Sequence, residues 1–515
     1  MGDVLMLLVL IPVLAAILML FMPSGAKSLM RGVALVGTII PALFAVVVYA
    51  SFGHNTTGFQ DVFNTTWFTI NNAFSGTPLA IQFGFAVDGI SMPLVLLVGV
   101  VSVLAVIRNF AIDNRVKGHY FWMLLLIAGL YGTFAAADMF SFFFFLEATL
   151  VATYFLIAIW GNERRQYAAT KFLIYRGFAS VVMLAGLIGL AYSFASQLQS
   201  TTASLIVPYE PNYLTLSLTQ MASVVGHVNL PAATQGALFL VFLLAVLIEE
   251  AFVPFHTWLA DTHEQSDTGT NMLIGGVLMK IGLYALIRFA VTFLPQGLHQ
   301  YGTLVAVLGV ISILYGALVA LASRDWRRLI AFSSISHMGL VLLAIGSMQA
   351  IGLQGAVFML VSSGLLTALM FFTVGAQADR TKTFIIGDLG GLSRPLPVLS
   401  GVMLVAALGL VGLPGLSGFV SEFTLFVGSF ARFPALSIVA TIGMILAALY
   451  LLLAMQRTTF GPQKPEYAGL KDARAIEYIP MVVLIALVIW IGVFPSILGD
   501  VVHGTVQAIA ARIGG

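Results

Sequence analysis

The fold of this chain of 515 residues is decided by residues 140–160, which read FSFFFFLEATLVATYFLIAIW. The stretch is long enough to cross a bilayer as one helix, because a spanning helix needs about 20 mostly apolar residues. Its only charged side chain is Glu147. An ionised carboxylate at membrane depth costs several kcal/mol unless it is paired, hydrated or neutralised. A span that keeps such a group indicates proton or ion transfer.

The composition extends this interpretation to the whole chain. Hydrophobic residues make up 60% of it and charged residues 9%, and the mean hydropathy is +1.03. Apolar runs recur along the sequence, and they are continuous rather than alternating in ten-residue units as barrel strands are. The sequence therefore predicts an all-α polytopic membrane protein.

Charge and cysteine content exclude several other functions. The formal net charge of +2 gives no reason to expect a nucleic-acid partner. Cysteine is absent, so the chain has no disulfide and no cysteine-ligated iron–sulfur cluster. The first apolar segment lacks a basic n-region and is preceded by Asp3, which predicts a retained helix rather than a cleaved signal peptide.

Apolar runs between polar breaks predict fourteen spans, numbered 1 to 14 in chain order. Residues 500–513 are predicted to form a short interfacial helix after the last span. The spans cover residues 4–21, 29–50, 84–108, 119–137, 140–160, 168–193, 233–260, 270–292, 300–322, 327–347, 350–377, 397–427, 433–456 and 478–499.

The distribution of Lys and Arg predicts an orientation, because short cytoplasmic loops concentrate these residues. With the N-terminus outside, the inside loops hold most of the basic residues, whereas the connections 51–83 and 194–232 hold none and fall outside. We therefore predict a multi-pass protein of the inner (plasma) membrane with both termini on the periplasmic or exterior side.

Two spans contain helix-breaking residues beside a carboxylate. Pro254 follows Glu249 and Glu250 in span 7, and span 12 reads GLPGLSG over residues 412–418, shortly before Glu422. Proline removes an amide donor, which is tolerated at membrane depth only where protein or water supplies partners. Paired interruptions of this kind indicate an inverted-repeat transporter.

Glu147 and Lys280 are candidates for the transfer itself. The alternative for Glu147 is a neutral carboxylic acid hydrogen-bonded between helices. The alternative for Lys280 is an ammonium that snorkels to the interface, but it lies about ten residues into span 8, near the reach of a lysine stem. A desolvated lysine can release its proton, unlike an arginine.

Glu249 and Glu250 are adjacent, so their side chains point about 100° apart on a helix and only one is expected to face the bundle centre. The other is expected to face an inside vestibule or to pair with a cation. Arg176, about two turns into span 6, is the obvious cation for Glu147 or Glu249. A structural salt bridge without a role in transport is an equally open interpretation.

Histidines supply the remaining candidates. His256, Asp261 and His263 follow the break of span 7, but no further ligand cluster accompanies them, so proton relay or helix capping is favoured over a metal. His337 in span 10 is either a central relay member or a satisfied core histidine. Three aspartates near predicted helix ends are expected to cap or pair locally: Asp88, Asp138 and Asp325.

Several ordered stretches together resemble the antiporter-like subunits of respiratory complex I, most closely the subunit M type, and beyond them the Mrp-type cation/proton antiporters. The resemblance covers roughly residues 85 to 460. The stretches are residues 142–147 with 154–157 and 160–161, residues 254–259 with 261 and 263, residues 278–284, residues 328–333 with 336–339, and residues 418–423.

The resemblance implies two inverted five-helix repeats with broken helices 7 and 12 and a proton path along a central polar axis. Glu147 matches the essential glutamate of helix 5, Lys280 the central lysine of helix 8, and Glu422 the exit-side glutamate of helix 12. The implied regions are an N-terminal three-helix region (1–118), a first repeat of helices 4–8 (119–294), a second repeat of helices 9–13 (295–456), and helix 14 with an interfacial tail (457–515).

The sequence departs from the family pattern at three places. Glu249 stands where a lysine usually precedes the break of helix 7, Ser363 stands where helix 11 usually carries a histidine, and Arg176 stands where a neutral residue is usual. If a glutamate replaces the cation that modulates Glu147, Arg176 would restore the positive charge. The competing interpretation is a subunit that has lost its pumping step.

The sequence thus predicts a proton-translocating subunit of an NADH:quinone oxidoreductase or a close relative, with no redox centre of its own. NADH, flavin, iron–sulfur clusters and quinone are expected in partner subunits. The expected partners are homologous antiporter-like subunits of the membrane arm, a peripheral redox arm and lipid. A proton would move from Glu147 through Lys280 and His337 toward Glu422.

Other functions remain open at this point. One is a subunit of an Mrp-type antiporter or of an energy-converting hydrogenase, and another is a structural subunit that does not pump. A quinone- or haem-binding redox subunit has only the His256 and His263 pair in its favour. A free-standing secondary antiporter would exchange ions when purified alone.

Overall fold

The computed structural model describes residues 2–54, 56–74, 77–200, 214–226 and 228–514. Helices dominate these residues. In chain order the α-helices are α1 Gly2–Phe21, α2 Lys27–Ser51, α3 Ser91–Arg108, α4 Val116–Ala135, α5 Met139–Trp160, α6 Arg165–Ser200, α7 Leu218–Val224, α8 Ala232–Glu249, α9 Thr257–Gln265, α10 Thr268–Gly276, α11 Ile281–Ala285, α12 Pro295–Ala322, α13 Trp326–Ser347, α14 Ala350–Thr381, α15 Pro397–Leu410, α16 Ser417–Arg432, α17 Pro434–Met455, α18 Tyr478–Val493 and α19 Ser496–Arg512.

All fourteen predicted spans have a helical counterpart. Thirteen helical segments of the described residues are long and apolar enough to cross a membrane. The remaining predicted span, number 12, is formed by α15 and α16, two shorter helices on either side of a break. The prediction of an all-α polytopic membrane protein is confirmed. The predicted C-terminal helix is also present, as α19.

A β-hairpin that the sequence analysis did not predict lies between α2 and α3. Strands β1 Gln60–Phe74 and β2 Thr77–Val87 pair antiparallel, and the short β3 Leu214–Thr215 adds to β2 in parallel. Span 3 was predicted to begin at residue 84, which is wrong, because residues 84–87 belong to β2 and α3 begins at Ser91. Large apolar residues at every second position of β2 were the available signal.

The hairpin holds the start of α5, the helix that carries Glu147. The amide of Ala137 donates to the carbonyl of Gly84, and the amide of Gly84 donates to Oδ2 of Asp138, both at 2.8 Å. Asp138 also accepts from the amide of Ser141 and so caps α5 as predicted. The strand and the cap together fix where this helix begins.

Three membrane segments are interrupted in the middle. Between α8 and α9 the chain leaves the helix at residues 250–256, which include Pro254, and between α15 and α16 it turns through Gly412 and Gly415 with φ of 81° and 91°. Such positive φ values favour glycine. The third interruption was not predicted: span 8 consists of α10, a 3₁₀ turn over Leu278–Lys280, α11 and a π-helix over Leu286–Val291.

The centre of the bundle is formed by span 8, α13 and α14, because every residue in the most apolar stretch of each of these segments is buried. The outermost helices are α1, α2, α17 and α18, in whose apolar stretches a third to two fifths of the residues are buried. Both broken segments predicted from the sequence contact this centre, since α9 and α16 pack against α13. The polar residues in the buried stretches of span 8 and α13 are therefore shielded from lipid.

Candidate functional site

Most of the predicted site residues lie in the interior of the bundle. Glu147 is half-buried on α5, whereas the other members are buried. The buried members are Arg176, Glu249, Glu250, His256, Lys280, His337 and Glu422.

Arg176 of α6 and Glu249, the last residue of α8, form a buried ion pair. The Nη2 atom of Arg176 donates to Oε1 of Glu249, and the two side chains are 1% and 2% exposed. The guanidinium also lies over the rings of Phe172 and Trp258, at 5.6 and 5.9 Å from their centroids. Of the two predicted partners of Arg176, the structure selects Glu249.

This ion pair leaves polar atoms unused. Nε and Nη1 of Arg176 and Oε2 of Glu249 are buried without a hydrogen-bond partner among the described residues. Buried polar groups are normally hydrogen-bonded, so an unpaired set of donors marks a place for water or for a second acceptor. The guanidinium of Arg176 therefore has donors left that could bind a second carboxylate.

Glu147 lies on α5, the helix that packs against α6. It forms no ion pair with any other described residue, and Coulombic repulsion from its carboxylate acts on Glu249. Of these two carboxylates, Glu249 is the one that is paired with the guanidinium of Arg176. This arrangement links α5, α6 and the end of α8.

Glu250 and Lys280 are oppositely charged groups at two facing interruptions. Oε1 of Glu250 accepts a hydrogen bond of 2.6 Å from the amide of Gly282, just after the 3₁₀ turn of span 8. Lys280 is fully buried and interacts electrostatically with Glu250. Among the described residues its Nζ atom makes one hydrogen bond, to Sδ of Met338 at 3.7 Å. The ammonium is therefore weakly held.

The interruption of span 8 explains how Glu250 reaches this amide. A break exposes backbone donors and acceptors that a continuous helix would use internally. A Cβ atom on Gly282 would approach Cγ of Glu250 to 2.7 Å, so the contact requires glycine at this position. Glu249 therefore pairs with Arg176 of α6, whereas Glu250 binds the backbone of span 8 at the centre of the bundle.

His337 of α13 precedes Met338, the residue that Lys280 contacts, and its side chain reaches the second broken segment. Its Nδ1 atom is 2.7 Å from the carbonyl oxygen of Ser333, and its Nε2 atom is 2.9 Å from that of Leu410. Leu410 is the last residue of α15, so the break makes its carbonyl available. A neutral imidazole has one N–H and can satisfy only one of these acceptors, whereas an imidazolium satisfies both.

Glu422 of α16 is the next titratable group along this line. Its Oε1 atom lies 3.9 Å from Nε2 of His337, and its Oε2 atom has no hydrogen-bond partner among the described residues. A small cavity touches both side chains and extends to Gly443 of α17. Water in this cavity would connect the two groups.

The histidines after the first break do not form a common site. His256 lies at the N-cap position of α9 but does not cap it, and its Nε2 atom is 3.1 Å from the hydroxyl of Tyr315. His263 bonds Asn271 at 2.7 Å. Asp261 is paired with Lys171. The described residues contain no group of three or more His, Cys, Asp or Glu side chains arranged to hold a metal.

Sequence reasoning missed a second buried ion pair. Arg288 in the π-helix of span 8 forms two hydrogen bonds with Asp88, at 2.6 and 2.7 Å, and a third with the hydroxyl of Tyr284. Asp88 also accepts from the amides of Ile90 and Ser91, so it does cap locally as predicted, but its main partner is 200 residues away. The available signal was an arginine two turns beyond Lys280 in an apolar span.

Asp325 behaves as predicted. Its Oδ1 atom accepts from the amide of Arg327 at 2.7 Å and caps α13, and its carboxylate pairs with the same arginine.

Broken membrane helices that enclose a line of titratable side chains define a class of protein, namely multi-pass membrane proteins of the ion-transporter type. The comparisons give the family. Residues 136–449 match the family described as NADH:quinone oxidoreductase/Mrp antiporter, transmembrane. The chain belongs to this family, and the resemblance predicted from its motifs is confirmed.

Relatives from cyanobacteria and a solved bacterial structure match almost the whole chain. It is 35% identical to NAD(P)H-quinone oxidoreductase chain 4 1 of Synechococcus elongatus, over 98% of this chain and 91% of the relative. A similar protein of Thermosynechococcus vestitus is 34% identical over 98% and 92%. A chain of respiratory complex I from Thermus thermophilus matches with a TM-score of 0.85 and 28% identity, over 99% of this chain and 100% of that one.

The fold also occurs in an antiporter assembly. A chain of the Mrp complex from Dietzia matches with a TM-score of 0.81 and 18% identity, over 100% of this chain and 99% of the other. At this identity the likeness concerns the fold alone.

Proposed function

We propose that the chain is a proton-translocating membrane-arm subunit of an NADH:quinone oxidoreductase-type complex. The observation that carries the proposal is the line of buried titratable groups that joins the broken segments. It runs from Glu147 and the Arg176–Glu249 pair through Glu250 and Lys280 to His337 and Glu422. Buried charges of this kind are costly to keep without a use in transport.

The first step is a competition for Arg176. When Glu147 attracts the guanidinium, Glu249 loses the cation paired with it and becomes an uncompensated buried carboxylate. Breaking a buried pair in this way is strongly unfavourable, so the carboxylate takes up a proton. In this mechanism Arg176 replaces the positive charge that the family usually carries on helix 7.

The second step is the release of a proton from Lys280. Its ammonium is stabilised by Glu250 and by one weak sulfur contact, so a change in the charge of Glu250 changes the protonation of the lysine. His337 is the next group that can take up the proton, since both of its nitrogens face carbonyl acceptors and an imidazolium can donate to both. Glu422 and the cavity beside it then complete the path.

The energy for these steps comes from electron transfer in partner subunits, which bind NADH, flavin, iron–sulfur clusters and quinone. The relatives named above are chains of NAD(P)H-quinone oxidoreductases and of a complex I, which supports this proposal. The chain itself supplies no redox centre. It lies in the inner (plasma) membrane beside homologous antiporter-like subunits, with both termini on the periplasmic or exterior side, as the distribution of basic residues indicates.

The division into regions follows from the same proposal. Residues 119–294 form the first repeat and contain the break between α8 and α9, and residues 295–456 form the second and contain the break between α15 and α16. Residues 1–118 and 457–515 flank them. The first repeat contributes two interrupted segments to the path, spans 7 and 8, and the second repeat contributes one, span 12. Breaks in both repeats are typical of inverted-repeat transporters.

The test is proton pumping by the whole complex in sealed vesicles. Electron-donor-driven acidification is compared between the wild type, Glu147→Gln and the control Glu163→Gln, which changes the same charge at an exposed position between α5 and α6. At matched assembly and electron-transfer rates, the first variant is expected to lose pumping and the control to keep it. If Glu147→Gln pumps normally, the path runs elsewhere and the chain is a structural subunit.

An Mrp-type antiporter subunit is the second candidate, because the Mrp assembly has the same fold. Sodium-dependent proton exchange in vesicles without an electron donor would favour it over the redox-driven complex.

A further inference from the structure

A cavity of about 170 Å³ lies near the ends of the spanning segments, away from the proposed proton path. It is formed by the end of α3, the middle-to-late part of α14 and the turn that precedes α18. The residues that line it are Ile107, Arg108, Phe110, Ala111, Phe372, Arg474, Ile476 and Glu477.

Two arginines give this cavity a positive character. Arg108 is almost buried, its Nη2 atom pairs with Asp379 at 3.0 Å, and its Nε atom is buried without a hydrogen-bond partner among the described residues. Arg474 is exposed and forms no ion pair in the described part of the chain. The exposed guanidinium of Arg474, which lines the cavity, offers donors to the acceptor atoms of a ligand.

The acidic residue that lines the cavity is already engaged. Both oxygens of Glu477 accept from Arg380, at 2.6 and 3.2 Å, and Oε2 also accepts from the amide of Arg474. Its charge is therefore balanced by Arg380. The remaining donors that face the cavity belong to Arg108 and Arg474.

The other walls are apolar and lead into the membrane. Ile107, Phe110, Phe372 and Ile476 line the cavity, and Ile476 continues into the exposed apolar face of α18. Arg108 ends α3, and the last spanning segment begins at Ala475, so both arginines lie where the spanning segments end. The site thus offers cationic donors at headgroup level and apolar surface beneath them.

We propose that this cavity binds an anionic phospholipid. Arg474 and Arg108 contact the phosphate, and an acyl chain lies along Ile476 and the outer face of α18. Basic pockets between membrane helices bind lipid headgroups through this combination of charge and depth. A free phosphate would use the arginines but not the apolar walls. The lipid would join α3, α14 and α18, and the site does not depend on the proposed proton path.

The experiment measures lipid binding to the delipidated whole complex by native mass spectrometry and by thermal unfolding. The probes are phosphatidylglycerol, phosphatidylcholine and inorganic phosphate. The variants are Arg474→Gln and the double variant Arg108→Gln with Asp379→Asn, which removes one charge of each sign. The control is Arg457→Gln, an exposed arginine outside the cavity with the same change of charge.

Phosphatidylglycerol is expected to bind the wild type and the control equally and to bind Arg474→Gln about fivefold more weakly, the factor expected for one basic residue near an anionic headgroup. The double variant is expected to lose binding in the same way. Phosphatidylcholine and inorganic phosphate are expected not to raise the unfolding temperature. The proposal is overturned if Arg474→Gln binds phosphatidylglycerol as the control does, or if inorganic phosphate protects the complex as well as the lipid does.

Discussion

Replacing Arg176 with glutamine tests the switch at the start of the proposed path. The pair between Arg176 and Glu249 is almost completely buried, with side chains 1% and 2% exposed. Removing one partner of such a pair leaves a buried charge uncompensated, which costs about 3–5 kcal/mol. We expect Arg176→Gln to destabilise the subunit by this order and to abolish pumping.

The double variant Arg176→Gln with Glu249→Gln separates the pair from its two members. With both charges removed no carboxylate is left uncompensated, so most of the lost stability is expected to return. Glu147 then lacks the arginine for which it competes, so pumping is expected to stay low. The exchanged variant Arg176→Glu with Glu249→Arg keeps one charge of each sign and is expected to restore part of the pumping.

The assay records thermal stability of the assembled complex and acidification per electron transferred, in vesicles with matched subunit content. If the two residues interact, the double variant loses less stability than the sum of the losses in the two single variants. If the two single effects simply add, the pair contributes no coupling. If the exchanged variant pumps no better than either single charge reversal, Arg176 does not compensate for Glu249 and the reasoning is refuted.

Three further variants test other parts of the site. Lys280→Arg keeps the positive charge, but an arginine cannot release its proton, so the variant complex is expected to assemble and to lose pumping. Normal acidification by this variant would exclude the lysine from the path. Asp88→Asn removes the charge that compensates the buried Arg288, so thermal unfolding of the complex is expected to show a loss of stability of about 3–5 kcal/mol. The double variant Asp88→Asn with Arg288→Leu leaves no uncompensated charge and is expected to lose less stability. Equal losses of stability in the two variants would show that the pair itself contributes little. Gly412→Ala is expected to lower the free energy of unfolding by about 1–3 kcal/mol, because φ at this residue is 81° and a Cβ atom would collide with the carboxylate of Glu422. An unchanged unfolding temperature would contradict this account.

The resemblance in the sequence anticipated more of the site than composition or periodicity did. Ordered motifs around Glu147, Lys280 and Glu422 named the family, which the comparisons confirm. They also implied the two broken helices, which are present between α8 and α9 and between α15 and α16. Whether these residues carry protons stays a prediction.

Local sequence also misled at two places. Residues 84–87 were counted as helix because they are apolar, although the alternation of large side chains in β2 is typical of a strand. Span 8 is one apolar run over residues 270–292 in the sequence, yet the helix is interrupted at Leu278–Lys280. Glu250, which comes from a different part of the chain, binds the amide that follows this interruption.

The sequence by itself determined that this is a helical membrane protein, because lipid leaves backbone groups no partners except those of their own helix, and twenty apolar residues suffice to show a span. It also located the titratable residues within the spans. Only the tertiary structure decided their partners: Arg176 with Glu249 rather than Glu147, Arg288 with Asp88, and His337 with the carbonyl of Leu410. The physical reason is that a charge in an apolar segment must find compensation, but which helix supplies it depends on packing between segments far apart in the chain.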